Sequence, residues 1–586
     1  MPPDVEQPNI GMNQVMANLA IEIGEGNRGA IAVRHQAAEG SGIFDCAIDA
    51  THALIGLQGG IGSGGGSAGV TVVGGRIGLD FTGYMGGTQP TPTITGFTLI
   101  GQSEAAIRST SRQTLVAAGL KILADRCAGP LIQVGAINLE PWMSGPGASP
   151  LKANHGELTL VDAQIEFAGE ALNQSRRVAI ESDRGVYLNN VFVRGATHVL
   201  VDPERQIALS GNPEGWLRVG EYAHASAPRG DQGNEYRYPV YVDGQPVESV
   251  SETEADRTPP ADLQARHLWP ADLPHFESAG AANVKEAPYR AKGDGLADDT
   301  DAIRKAIDEN EIVFFPKGCY RLTQTLELKP NSKLIGVGQT MSLLLSTGDG
   351  AFGDAQAPAP LVRTANAAQA ETTMAFLGLT APGGGGVQAL HWRCGGRSIL
   401  LSVEFWRIPS RIGVLISDHG GGNWYNMRGT RTGIEGAQGP LHFYQFSCQQ
   451  VTSELKDARN IRFFGTKYEG NSPNLWIRDC DNIAIYGHGG NGKGRGGASL
   501  FSIERTPNFL FANAVDGPTR IGSVGLSSPE GSTDPRFWHM LIERFADGTE
   551  FKLPPMERPV LYKRGTPGAG GEAAANAPKR GKQGGE

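Results

Sequence analysis

A chain of 586 residues with 39% apolar residues and a formal net charge of -9 is too long for one ordinary core and too apolar for wholesale disorder. Its 82 glycines follow no Gly-X-Y period, which excludes collagen. The balance of 52 basic against 61 acidic residues, with Lys and Arg nowhere concentrated in the folded part, excludes a nucleic-acid partner.

No stretch of roughly 18 apolar residues exists to span a membrane, and Met1–Asn9 lacks the charged and apolar regions of a signal peptide. The cysteines at 46, 127, 319, 394, 448 and 480 show no paired metal-ligand spacing, so no metal and no other cofactor is expected. From about residue 10 to 202, short β-branched runs alternate with Gly, Asn and Asp: Ile31-Ala32-Val33, Val70-Thr71-Val72-Val73, Leu158-Thr159-Leu160-Val161, Val191-Phe192-Val193. With no amphipathic helix between them and little hairpin chemistry, they predict a solenoid over 1–202. Gly60-Ile61-Gly62-Ser63-Gly64-Gly65 matches a dinucleotide-binding string, but the strand Val70 to Val73 follows where a helix is required.

Residues 203–285 are rich in Pro, Glu and Asp and read as a connector, with a small hairpin at Val240-Tyr241-Val242 before Asp243-Gly244. The second unit spans 286–563. Asp298 to Thr300 supply helix N-cap side chains, and Ala302, Ile303, Ala306 and Ile307 form one apolar helical face, suited to plug the end of a solenoid before the strand Val313 to Phe315. The carboxylates of Asp298, Asp299 and Asp301 are accounted for by that cap rather than by calcium. From Arg564 the chain is rich in Gly, Ala, Lys and Pro, so 564–586 reads as a disordered tail.

An internal repeat joins Asn460-Ile461-Arg462-Phe463-Phe464-Gly465 to Asn482-Ile483-Ala484-Ile485-Tyr486-Gly487 at an offset of 22 residues, one coil of a parallel β-helix. Asn460 and Asn482 should form a ladder at a turn, with Ile461 and Ile483 inward. The same offset stacks Glu469 on Asn491 and places Ser447-Cys448-Gln449-Gln450 one coil back. A column of Gln449, Glu469 and Asn491 suits a sugar-binding groove, or else is a row of solvated turn residues. Within the aromatic cluster Trp392, Phe405, Trp406, Trp424, Tyr425, Phe443 and Tyr444, at least half belong in the core, and Trp424 and Tyr444 are the expected exposed platforms for sugar rings.

The segment Ala291-Lys292-Gly293-Asp294-Gly295-Leu296-Ala297-Asp298-Asp299-Thr300-Asp301-Ala302-Ile303, followed by Val313-Phe314-Phe315-Pro316-Lys317-Gly318-Cys319-Tyr320, resembles the opening of pectate-lyase-superfamily β-helices. It also resembles the tandem β-helix enzymes of glycoside hydrolase family fifty-five. The resemblance implies an all-β fold of two tandem right-handed parallel β-helices with a short capping helix before the second. Because the signature occurs only before the second unit, it also implies a missing cap before the first.

For function, the resemblance implies a secreted or cell-surface protein with a polysaccharide partner, and a hydrolase inverting a β-glucan linkage between an acid and a base. Hydrolytic relatives carry Asn-x-Glu-His in one coil and Lys-x-Glu in the next. This chain keeps Lys467-Tyr468-Glu469 but has Gln449 at the first, so Glu469 is the candidate acid and Glu435 or Glu454 its candidate partner. A uronate lyase or epimerase and a non-catalytic carbohydrate-binding solenoid are the alternatives.

Overall fold

In a computed structural model, residues 11–568 are described apart from 62–63, 83–92, 111–113, 136–156, 232–233, 270–272, 471–472, 493–497, 516–538 and 555–556. Two of the sequence motifs, the Gly60–Gly65 string and the tail, lie partly outside these residues.

The β-branched runs become strands because each alternates a buried and a solvent-facing side chain. In β1 (Gly42–Asp49), Cys46 and Ile48 are buried while Asp45, Ala47 and Asp49 are exposed. β1 pairs in parallel with β2 (Gly66–Val73), Cys46 opposite Val70. Further along, β3 (Leu115–Ala118), β4 (Leu158–Val161) and β5 (Val186–Arg194) set Leu115, Leu158 and Val186 in one column. A parallel eight-stranded sheet, antiparallel only at its final strand, forms the opposite wall, and the residues between the walls make an interior core that includes Ile48, Val72, Leu160 and Val193. This is a parallel β-helix.

The segment read as a connector is largely ordered. Its strand Trp216–His224 lies antiparallel on β5, and Ser249–Ala255 adds outside it. Val240–Val242 forms the expected hairpin with Gln245–Val247, turning through Asp243 and Gly244 at positive φ. The same strand pairs with Leu561–Arg564, so Arg564 ends a strand and bonds Glu543; residues 569–586 lie outside the described set.

α1 (Thr300–Glu309) turns Ile303, Ala306 and Ile307 into the second core. Its cap differs in one respect from expectation. Asp298 Oδ1 accepts from the Thr300 backbone N–H at 3.0 Å, but the Asp299 carboxylate turns back to the N–H groups of Lys292 (2.6 Å) and Gly293 (2.9 Å). Asp299 thereby ties the preceding loop to the helix instead of capping it.

The coils that follow include β6 (Glu404–Trp406), β7 (Gly422–Gly429), β8 (Leu441–Gln449), β9 (Arg459–Gly470), β10 (Asp481–Gly492) and β11 (Phe509–Val515), all paired in parallel. Ile461 and Ile483 are in register and fully buried. Asn482 Nδ2 donates to Asn460 Oδ1 at 2.7 Å, with both residues at positive φ. The chain is therefore all-β, two tandem parallel β-helices with one short capping helix before the second. Among the described residues no helix is long and apolar enough to cross a membrane.

A third core lies between the two stacks, where Phe44, Val116 and Tyr187 of the first meet Tyr425, Tyr444, Phe464 and Tyr486 of the second. The last four stack one per coil, with centroids 4.8, 4.9 and 5.2 Å apart and ring planes within 17°. Next to this ladder runs a corner column of Asn426, Gln445, Gly465, Gly487 and Asn513, all at positive φ. Gln445 Oε1 accepts from Thr93 Oγ1 at 2.8 Å, and Asn513 Nδ2 donates to Leu158 O and Thr159 Oγ1 at 2.9 Å. At Gly465 and Gly487 a Cβ would collide with Thr93 and Val116 of the first stack, so the close approach requires glycine there.

The turn Ala265–His267 wedges between the stacks. His267 Nε2 meets Asp162 Oδ2 and its Nδ1 meets Tyr444 OH, each at 2.8 Å. Nearby His442 is held neutral, its pKa pushed down to about 3 by loss of solvent and then by His267 and Arg462, against a smaller opposing effect of Asp162. The unfolded chain takes up this proton near pH 6.5 and the folded chain only near 3, so stability falls as pH drops through that window. A His442→Asn variant should lose less stability between pH 6.5 and 4 than wild type in thermal unfolding; parallel pH profiles would refute the assignment.

Candidate functional site

At the start of β6 and near the C-terminal ends of β7 to β9, pairing aligns Glu404 with Arg428, Arg428 with Ser447, and Ser447 with Lys467. Two residues further along, Gln449, Glu469 and Asn491 occupy successive register positions. The first stack delivers Glu39 onto this surface from the loop ahead of β1. Its Oε1 accepts from Gln449 Nε2 at 2.5 Å and from Lys467 Nζ, and its Oε2 faces Arg428 at 3.0 Å. Arg428 also reaches Glu404 at 3.2 Å, and Lys467 reaches Glu469 at 3.2 Å. Three carboxylates are thus bridged by two cations across the junction of the stacks.

Burial differs along this chain of charges. The Lys467 side chain is 0% and that of Glu39 9% exposed, while Glu469 is 36% exposed. Burial raises the pKa of Glu404, and Glu39 adds to the rise while Arg428 opposes it. Beside Glu404 opens a cavity of about 300 Å³ whose walls include Trp406, Arg428, Ser447 and Gln449. Trp406 is 56% exposed, with the Arg407 guanidinium 4.5 Å from its ring centre. Ser447 Oγ is buried there with no hydrogen-bond partner among the described residues.

The structure does not bring every expected residue to this place. Trp424 is fully buried, its ring packed edge-on against Trp392 and Phe443 in the second core. Tyr444 is 2% exposed, sandwiched between Tyr425 and Phe464 in the inter-stack ladder. Neither can offer a face to a sugar. The parity of each strand changes at its positive-φ corner residue, so counting alternate positions through Asn426 or Gln445 assigns the wrong side.

Glu435 and Glu454 lie on the ten-stranded sheet, another side of the coil, paired in register with Ser417 and Gly433. Glu435 is exposed, and both Glu454 oxygens accept from Arg411 NH2, at 3.1 and 3.0 Å. They are not partners of Glu469. The residues that sequence reading passed over are Glu39, Glu404 and Arg428. Extending the coil register backwards from Lys467 would have reached the last two, whereas nothing in the chain marks Glu39, 428 positions away from Lys467.

Comparison with known proteins bears on the second stack most directly. Residues 281–454 match the family model described as rhamnogalacturonase A/epimerase, pectate lyase-like. A glucan 1,3-beta-glucosidase of Cochliobolus carbonum is 29% identical over 106 residues, 17% of this chain and 13% of that protein. A probable glucan endo-1,3-beta-glucosidase of Arthroderma benhamiae is 36% identical over 96 residues, 15% of this chain and 10% of that protein. The aligned part is thus a small fraction of both relatives. Among solved structures, sacteLam55A from Streptomyces sp. SirexAA-E aligns over 86% of this chain and 85% of its own at 8% identity, with a TM-score of 0.31. Glu404, Arg428 and Gln449 therefore sit within residues 281–454, the part of the chain that is similar to the pectate-lyase-like family model.

Proposed function

We propose that the protein is a glycoside hydrolase of a β-glucan-like polysaccharide, working outside the cell at the junction of its two stacks. The observation that carries this reading is the half-exposed Glu469 held by a buried Lys467 beside a cavity with an exposed Trp. A sugar ring stacks on Trp406, Gln449 binds its hydroxyls, and Glu469 protonates the leaving oxygen. Glu39 has its oxygens occupied by Gln449, Lys467 and Arg428, so it positions these groups and takes no part in proton transfer. The names of the two fungal relatives support the substrate class.

Glu404 offers a second proton donor, since its raised pKa suits a general acid. It lies three coils from the Lys467 strand, about 14 Å at ~4.8 Å per coil. That exceeds the roughly 6.5–9.5 Å between the carboxyls of an inverting pair, so Glu404 and Glu469 do not work as one acid and base. A uronate lyase or epimerase is favoured by the family description and by the two cations at the site. Both cations, however, are already paired with Glu39, and Lys467 is out of reach of a ligand.

The test is product release across a panel of β-1,3-, β-1,4- and mixed-linkage glucans and polygalacturonate, with reducing ends and ultraviolet absorbance read together. Reducing ends without absorbance on a glucan are expected. Absorbance of unsaturated products, or no product from any polymer, would overturn the reading.

A further inference from the structure

On the same coils, at the opposite ends of the strands, four successive turns enclose a second cavity of about 540 Å³. It lies at the start of β7 and the cavity described above at its end, at most roughly 23 Å apart at ~3.3 Å per residue. Its floor is backbone, formed by Gly395, Gly396 and Gly439, and its walls carry Arg397, Asp418 and His419. The floor is laced between coils: Gly395 N–H donates to Ala367 O, Gly421 N–H to Cys394 O and Gly422 N–H to Pro440 O, each at 2.9 Å.

Two wall groups are held from behind. Ser417 Oγ donates to Asp418 Oδ2 at 2.7 Å, so His391 Nε2, 2.8 Å from the same Oγ, is the donor in that contact. Burial, with Arg393 and Arg363, pushes the His391 pKa down to about 4, which keeps the ring neutral and this relay intact at neutral pH. His419 Nδ1 faces Asn366 Oδ1 at 2.7 Å, so Nδ1 carries the proton and Nε2 is left as an acceptor. Asp418 Oδ1 and His419 Nε2 are therefore presented in fixed positions without spending ligand energy on ordering them.

We propose that this cavity is a second binding site, for the hydroxyl groups of a neutral sugar ring. Its volume falls within the range of small-molecule sites, about 300–1,000 Å³. Fixed carboxylate and imidazole acceptors, with the carboxamides of Gln369 and Gln438 at the rim, match a ring of adjacent hydroxyls. Arg397 is joined to Glu371, and Asp418 adds negative charge, so the walls offer no net positive charge to a uronate or a phosphate. A polymer held here would be anchored to the coils that carry the inter-stack groove.

The ligand class rests on the hydrolase reading only in the choice of probes. The test uses the full chain bearing Glu469→Gln, so that no probe is consumed, and measures retardation in native gels cast with a soluble β-1,3-glucan, a soluble β-1,4-glucan or polygalacturonate. Gly396 is the place to fill the cavity, because a Cβ there meets nothing closer than Pro440 Cγ at 3.9 Å. Gly396→Trp, and separately the pair Asp418→Ala and His419→Ala, should weaken retention by a neutral glucan about tenfold, with the circular dichroism and Tm of the parent. Undiminished retention in both variants would place all binding in the groove and overturn the proposal. Stronger retention by polygalacturonate than by either glucan, or no retention of the parent by any polymer, would also overturn it. Loss of retention in Gly396→Trp, coupled with no product from any polymer by the wild type, would leave this site standing and remove the hydrolase reading.

Discussion

A Glu469→Gln variant is expected to release reducing ends from its glucan on the order of a hundredfold more slowly than wild type, with KM little changed. The amide keeps the size of the carboxyl and can still contact substrate hydroxyls, but it has no proton to transfer in the transition state. The loss therefore falls on kcat. Folding should be spared, since Glu469 is partly exposed and Lys467 keeps its contact with Glu39. Glu404→Gln serves as the discriminating comparison: if that variant shows the hundredfold loss and Glu469→Gln does not, the proton donor is Glu404. Initial rates and thermal melts on both variants decide the matter.

Removing the Glu39 carboxylate should cost about 3 kcal/mol of stability, the low end for a broken buried pair, because the fully buried Lys467 ammonium loses its buried anion and keeps only the more exposed Glu469 at 3.2 Å. Arg428 likewise keeps one carboxylate, Glu404 at 3.2 Å. Denaturant unfolding of Glu39→Ala should show this loss. Adding Lys467→Met should recover a large part of it, since the second change removes the stranded charge while a methionine stem of similar reach fills the space. Additive losses in the double variant would mean that Glu39 acts through packing rather than charge.

The capping helix and the coil period were legible because each is a local pattern. The apolar face of Ile303, Ala306 and Ile307 needs only the 3.6-residue repeat, and Asn460 and Asn482 announce one coil by recurrence. The column of Gln449, Glu469 and Asn491 followed from that recurrence. What failed was the choice of which aromatic rings face outward. Trp424 and Tyr444 lie just ahead of Asn426 and Gln445, where a single residue at positive φ resets which side faces the core. Glu39 and His267 were illegible for another reason: each completes a contact with a distant coil, and no sequence pattern records which loop of one solenoid meets which coil of another.

The corner column, reading Asn, Gln, Gly, Gly, Asn along the second stack, acts as the teeth of a key. Long side chains enter the first stack at three levels and bare backbone lets it press in at the other two. A slip of one coil, about 4.8 Å, would drive Gln445 or Asn513 against a place shaped for glycine and leave a hydrogen-bonding pocket empty. The two halves can thus mate at one axial setting only. At that setting, and at no other, Glu39 arrives level with Lys467 and Arg428, so a surface far from the reacting groups decides whether those groups ever meet.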